Sequence, residues 1–449
     1  MRFKFPSPDL EIYRRLLAAY RRCLVHKSQL KKTKFHVFHE QFIYSLALEI
    51  ENRTYKPLKS NIFIVSKPKY REVIAAHLRD RIVHHFLYEH MAPYWEARFV
   101  YQSYACRPGK GPLMAGRDLE TFVRHYYRGH RDPLYYLKVD VQSFFPSIDH
   151  RILKNIVDPH LQDPLYKYLL HVIIDHRATE RGAFHLTSPQ AMWQHLPRYK
   201  SMFAAPLGKG LPIGNLTSQF LANVYMNELD QYITHHLKGR YLYWQRYVDD
   251  VVFLGDSPRD LLSLVPLVQG FLNEKLGMTL NPKKTEMQPL SRGLDHLGYF
   301  YRPDHRLVRQ RVVSQCKERV TSFLRQPELP IGKACATVNS YLGHFAHAHS
   351  LRLRKSVVSR VQIAPQIGFK VVADASYLRV RPVVHGTARS LATSAEHRAR
   401  AVFCERFVGR GDLQPGEGRT ARVMHYLSKW RPIYDLMAEC AADLGVRAS

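Results

Sequence analysis

No two of the six cysteines (Cys23, Cys106, Cys316, Cys335, Cys404, Cys440) stand at CxxC spacing. That excludes a clustered cysteine zinc site and a dense disulfide framework, and it fits a reducing, cytoplasmic setting. No run approaches the ~20 apolar residues of a membrane-crossing helix, so no membrane partner is expected. The opening MRFKFPSPDLEIYRR brings in charges too early for a signal peptide. Acid is also scarce: 38 Asp and Glu face 67 Lys and Arg, a formal charge of +29. A surplus of that size calls for a polyanionic partner, nucleic acid first, with a merely soluble cation or a protein on anionic lipid as the plain alternatives. The 25 histidines are scattered, pairs such as His84-His85 included, and lack Cys or carboxylate partners at ligand spacing. They read as core or solvated side chains.

The length allows about two to three domains. Apolar residues at helical spacing (Ile12, Leu16, Leu17, Tyr20, then Phe42, Leu46, Ile50) predict helices in 11–50, and NIFIVSKPKYREVIAA (61–76) predicts two short strands round a basic turn. YYLKVDVQSFF (135–145) reads as a strand ending in a polar turn, with helices after it. Residues 177–209, broken by Pro189, Pro197 and Pro206, read as a loop-rich insertion. TSQFLANVYMNELDQYITHHL (217–237) predicts a helix and YLYWQRYVDDVVFLG (241–255) a hairpin. A helix over 258–276, a strand near 278–280 and a hairpin around HLGYFYRPDHRLVR follow, then three helical segments over 312–360. The remainder, 361–449, has few apolar runs and contains FVGRGDLQPGEGRT; it predicts a small α/β appendage or a partly mobile tail.

Tyr247-Val248-Asp249-Asp250 places two adjacent acids between two apolar β-runs. Alone, such a pair is equally an ordinary hairpin turn. Asp140, however, also ends an apolar strand about a hundred residues earlier. Carboxylates brought together repel, and a divalent cation is the usual remedy. Mg²⁺, which takes one or two carboxylates plus substrate phosphates, suits so sparse a ligand set, with two ions as the working number.

The ordered combination of Asp140, GLPIGNLTSQ (210–219) and YVDD (247–250) resembles the palm motifs of reverse transcriptases. SKPKYREV (66–73), HLRDRIVHH (77–85) and QSYACRPGKG (102–111) are similar to the family's finger segments. NPKKT (281–285) and HLGYFY (296–301) are similar to the segments after its catalytic hairpin. The resemblance runs over about 55–350 and implies a right-handed α/β polymerase fold: a helical N-terminal segment 1–54, fingers 55–135, an antiparallel-sheet palm 136–305 holding the insertion, a helical thumb 306–360, and a C-terminal extension 361–449 of unassigned role. It implies an RNA-directed DNA polymerase. Asp140 and Asp249, with the Val141 carbonyl, would bind two Mg²⁺, or Mn²⁺ in their place, and Asp250 would be a weaker ligand or a support near the primer end. Lys67, Lys69 and Arg71 would meet the incoming deoxynucleoside triphosphate, without fixing which of the three makes contact. Phe145 would exclude a 2′-hydroxyl, its plain alternative being core packing. Lys284, or Lys283 instead, would return a proton to pyrophosphate. Gln219 would lie at the nucleotide, and Ile213, Gly214, Tyr247 and Gly298 at template and primer. Gly210 and Gly214 are expected to admit the backbone close to the templating pair, where a Cβ would collide, and Thr217 is a candidate cap of the following helix.

Most reverse transcriptases carry Gln before the second glycine of GLPIGNLTSQ and Ser-Pro at its end; here Ile213 and Gln219 stand instead. That departure resembles the enzymes of diversity-generating retroelements, which copy a template RNA with errors at adenines and work with a small basic accessory protein. NSYLGHFAHAHS (339–350) is similar to their thumb. An antiphage-defence reverse transcriptase and a non-catalytic RNA-binding scaffold are the alternatives. The lack of a Cys-rich nuclease tail argues against a group II intron maturase.

Overall fold

Helical apolar spacing turns Leu16, Ala19, Tyr20 and Leu24 of α1 (Leu10–Leu24) and Phe42, Ile43, Leu46 and Ile50 of α2 (His39–Glu51) into the core. Asp9 caps α1 by accepting from the Glu11 and Ile12 amides. The computed structural model describes residues 9–25, 39–66, 69–324, 331–362, 369–373 and 378–382. They divide after Leu290 into two compact units.

In the first unit, β1 (Ser60–Val65) and β2 (Arg71–Ala75) form the antiparallel pair the sequence predicts. Then come α3 (Leu78–Glu96), α4 (Pro112–Gly129), β3 (Tyr135–Asp140), α5 (His150–Val157) and α6 (Pro164–Asp175). The stretch 177–209 is not all loop: β4 (Phe184–Leu186) adds to β1 in parallel, so the insertion belongs to the β1–β2 sheet. It is followed by α7 (Leu216–His236), the hairpin β5 (Tyr243–Tyr247) and β6 (Asp250–Gly255), α8 (Pro258–Leu276) and β7 (Glu286–Pro289). The expected strand at 278–280 is a single bridge from Leu280 to Val141.

Strands β5, β6, β3 and β7 make one four-stranded antiparallel sheet in that order. One apolar cluster joins its Leu137, Val139, Val251 and Phe253 to Phe220, Val224, Leu229 and Ile233 of α7 and to Leu261, Leu264, Val268 and Leu272 of α8. Each such side chain removed from water contributes about 1.5–3 kcal/mol before chain entropy is subtracted. The strand ends are thereby held on a rigid, helix-backed floor.

In the second unit, β8 (Leu294–His296), β9 (Tyr299–Tyr301) and β10 (Arg306–Val308) pair, among the described residues, only with one another. The second compact unit begins at Ser291, just ahead of this sheet. The three expected helices are α9 (Gln310–Leu324), α10 (Ile331–Ala346) and α11 (Leu351–Gln362), packed through Cys316, Val320, Cys335, Val338, Leu342 and Phe345. A hairpin of β11 (Phe369–Ala373) and β12 (Leu378–Pro382) follows. The Gly- and Pro-containing FVGRGDLQPGEGRT lies outside the described residues, as does Lys67. Among the described residues no helix is long and apolar enough to cross a membrane.

Candidate active site

Strand alternation explains why the acids meet. Asp140 ends β3, and the β3–β6 register sets Asp250 directly across from it. Asp249 sits in the two-residue turn between β5 and β6. Asp140 is only 3 % exposed, and the other two are half-buried. Burial pushes the Asp249 carboxyl up to about 7, with the charges of Asp250 and Asp140 adding to the effect. Burial also raises Asp250; Lys138 pulls against it and Asp140 reinforces it.

Two ammonium groups answer this charge. Lys284 Nζ donates to both Asp140 carboxylate oxygens at 2.7 Å. Partial burial disfavours its charge, but Asp140 outweighs that and holds the Lys284 pKa above the ordinary lysine value. Lys138, two residues before Asp140 and so on the same face of β3, lies 3.8 Å from Asp250. Carboxylates crowded together repel, and oxygen donors of that kind are what a hard divalent cation takes. Among the described residues, no three His, Cys, Asp or Glu side chains already close round one cation position. A divalent cation placed at Asp140 would have to share that carboxylate with Lys284 or displace it.

The loop 210–215 is sewn to both neighbours. Leu211 N–H donates to the Phe145 carbonyl at 2.9 Å, and Gly210 N–H to that of Ile148 at 2.7 Å. Ile74 N–H of β2 donates to the Ile213 carbonyl at 2.7 Å, and Ala76 N–H to Asn215 Oδ1 at 3.1 Å. Gly214 has φ +129°, and a Cβ there would stand 2.8 Å from the Ile74 carbonyl oxygen, so the loop backbone lies close against β2. Thr217 is not the cap. The helix opens at Leu216 after Asn215, and Thr217 Oγ1 bonds His84 Nδ1 inside the core. Gly214→Ala is expected to lower primer-extension activity at least about tenfold, because the loop must part from β2. Activity within twofold of wild type would remove this role from the glycine.

Val141 continues β3 into the bridge with Leu280. Phe145 is half-buried, edge-on to Phe144 at 5.1 Å. Ile213 and Tyr247 are half-buried, and Gln219, Lys69, Arg71 and Lys283 are exposed. Gly298 belongs to the second unit, where its φ of +93° brings it against the His344 ring. Two side chains escape a sequence reading. Lys138 is signalled by its period-2 offset from Asp140, and Arg246 by being a charge inside an apolar β-run.

Residues 58–301 match the family described as reverse transcriptase (RNA-dependent DNA polymerase). The chain is 25 % identical over 295 residues to protein YkfC of Escherichia coli, covering 59 % of this chain and 70 % of that one. It is 19 % identical over 350 residues to a putative COX1/OXI3 intron 2 protein of Saccharomyces cerevisiae, covering 64 % and 37 %. It is 29 % identical over 102 residues to the mitochondrial nuclear intron maturase 1 of Arabidopsis thaliana, covering 22 % and 13 %. It thus spans well under half of either intron protein. Among solved structures it is similar to apo telomerase from Candida tropicalis, truncated from its C-terminal domain, at 12 % identity and 56 % coverage of each chain, with a TM-score of 0.37. With the family matched over more than half its length, and three acids converging at the end of an antiparallel sheet, the chain belongs to the reverse transcriptases, the RNA-dependent DNA polymerases.

Proposed function

We propose that the chain extends a primer along an RNA template by nucleotidyl transfer at Asp140, Asp249 and Asp250, with two Mg²⁺ ions or Mn²⁺ in their place. The observation that carries this is the convergence of the three acids under Lys284 and Lys138. Bound there, the ions would promote attack by the 3′-hydroxyl and steady the charge on departing pyrophosphate. Exposed Lys69 and Arg71 offset the triphosphate charge. Lys284, held charged by Asp140, carries the proton that the leaving group takes. The half-buried Phe145 ring crowds a 2′-hydroxyl. Phe145→Ala is expected to improve ribonucleotide use about tenfold or more relative to deoxynucleotides. Unchanged discrimination in single-nucleotide extension would return the ring to core packing.

Protons and cations compete for the same oxygens, so metal affinity should rise with pH and level off above about 7, where Asp249 has ionised. The acid limb of the rate profile should shift to lower pH as Mg²⁺ is raised. A limb that ignores metal concentration would point to a different titrating group.

The biological role that Ile213 and Gln219 support is error-prone copying in a diversity-generating retroelement, with a small basic accessory protein as partner. An apolar Ile213 offers no side-chain hydrogen bond to a template or nucleotide, which weakens geometric discrimination among bases. The two intron-protein relatives favour a second reading, an enzyme that serves an intron-type RNA. Primer extension on an adenine-containing RNA, with the cDNA sequenced beside an Asp249→Ala control, separates them. Errors concentrated at adenines support the retroelement, and faithful cDNA supports the intron-type enzyme. Metal-independent binding without synthesis, once the accessory protein and cognate RNA are supplied, would overturn the polymerase reading.

A further inference from the structure

The turn that carries Asp249 is strained. Tyr247 and Asp250 pair across the hairpin, leaving Val248 and Asp249 as its two-residue loop, and Val248 has φ +60°. Positive φ at the first loop residue alone is the pattern of a II′ turn, a position that glycine normally fills. A β-branched residue there is a true outlier and persists only where its surroundings impose it.

The surroundings that impose it come from Arg246, whose side chain is fully buried. All five of its guanidinium N–H groups find acceptors. Nε and Nη2 donate to the two Asp230 oxygens at 2.7 and 2.6 Å, and Nη2 also to Ser103 Oγ at 2.9 Å. Nη1 donates to Asn223 Oδ1 at 3.2 Å and to the Val248 carbonyl at 2.8 Å. Asn223 is oriented in turn, its Nδ2 donating to the Ala105 carbonyl at 2.7 Å. The Arg246 backbone is fixed as well: its N–H donates to the Gln102 carbonyl and its own carbonyl accepts from Tyr104 N–H.

We propose that Arg246 is a positioning residue for Asp249. Its bond to the Val248 oxygen fixes the plane of the peptide joining Val248 to Asp249, and so aims the Asp249 carboxylate at Asp140 and Asp250. Asp230, Asn223 and Ser103 supply the rigid frame from α7 and the 102–105 segment. A planar fork with five donors can meet all four partners together, and a lysine cannot. This rests on the polymerase reading of the site.

The test is single-turnover extension on bound primer–template with Mg²⁺, in which amplitude reports the folded, competent fraction and rate reports geometry. Arg246→Lys keeps a cation beside Asp230 but loses the fork. Its rate is expected to fall about 100-fold, the scale of a misplacement near 1 Å, with primer–template affinity within about twofold of wild type. Mn²⁺ affinity without nucleotide, read from the electron spin resonance of the free ion, should weaken with it. Val248→Gly in the Arg246→Lys background should recover at least about tenfold in rate, since glycine takes φ +60° without a clamp. A rate within threefold of wild type in Arg246→Lys, or no recovery from the glycine, overturns the proposal. If Arg246→Lys shows no amplitude, Asp230→Asn decides: it retains the Val248 bond and should lose stability but far less rate, whereas an equal loss of rate overturns the clamp. A wild type that makes no cDNA in the same assay is instead a failure of the polymerase reading.

Discussion

Asp249→Asn is expected to reduce cDNA synthesis at least about 10³-fold while making the metal-free protein more stable. The loss follows from removing one of three converging carboxylates, a charge stabilisation on the scale of several kcal/mol. The gain follows from what that carboxylate costs the fold. Its folded pKa of about 7 lies above the ~3.9 of an unfolded aspartate. The folded state therefore keeps its proton longer than the unfolded chain. Stability from this group is full below about pH 4, falls as pH rises towards 7, and levels off above it. Asparagine has no such dependence. Stabilities of wild type and variant should nearly coincide below about pH 4 and separate progressively up to about pH 8, by on the order of 1–3 kcal/mol in the variant's favour. Mg²⁺ should narrow the gap by stabilising only the wild type. An Asn variant less stable at pH 8 would mean that Asp249 is a structural acid, and the site reading would fail with it.

The same carboxylates show what a sequence reveals. Asp140 and Asp249-Asp250 stand out because each interrupts a period-2 apolar run, and strand pairing then makes Asp140 and Asp250 neighbours. The β1–β2 hairpin, α7 and the second unit's helices are legible for the same reason of periodicity. Helix α4 was equally open to such a reading, since Ala115, Leu119, Val123 and Tyr126 line its buried face, but the Gly- and Pro-containing RPGKG before it draws the eye to a loop. Strand β4 is beyond periodicity: three residues cannot show a period, and their pairing with β1 spans more than a hundred residues. Arg246 and Asp230 are hidden differently. A charge in a strand and one in a helix each read as solvent-facing, and only their mutual burial shows them to be a pair. At Gly214 the glycine is visible in the sequence, whereas the Ile74 carbonyl that a Cβ there would meet is not.

Primer–template affinity should collapse with salt. The chain carries a formal +29, and within 177–209 the sequence has Arg177, Arg181, Arg198, Lys200 and Lys209 against one acid, Glu180. Lys69 and Arg71 are exposed, and Lys110 lies over the Tyr101 ring. Each phosphate neutralised releases condensed counterions, and that release weakens as bulk salt rises. For about six to ten phosphate contacts, affinity should fall roughly 10³- to 10⁵-fold between about 50 and 200 mM salt. A log–log plot of the binding constant against salt, taken without nucleotide, gives the number of contacts directly. Replacing one contacting lysine by glutamine should weaken binding alike on all sequences and reduce the slope by about one. The acids at Asp140, Asp249 and Asp250 oppose the same backbone, so Asp249→Asn should bind primer–template slightly more tightly while synthesising none. A flat salt response would mean that base stacking, not phosphate charge, holds the duplex, and the cationic surface would then need another partner.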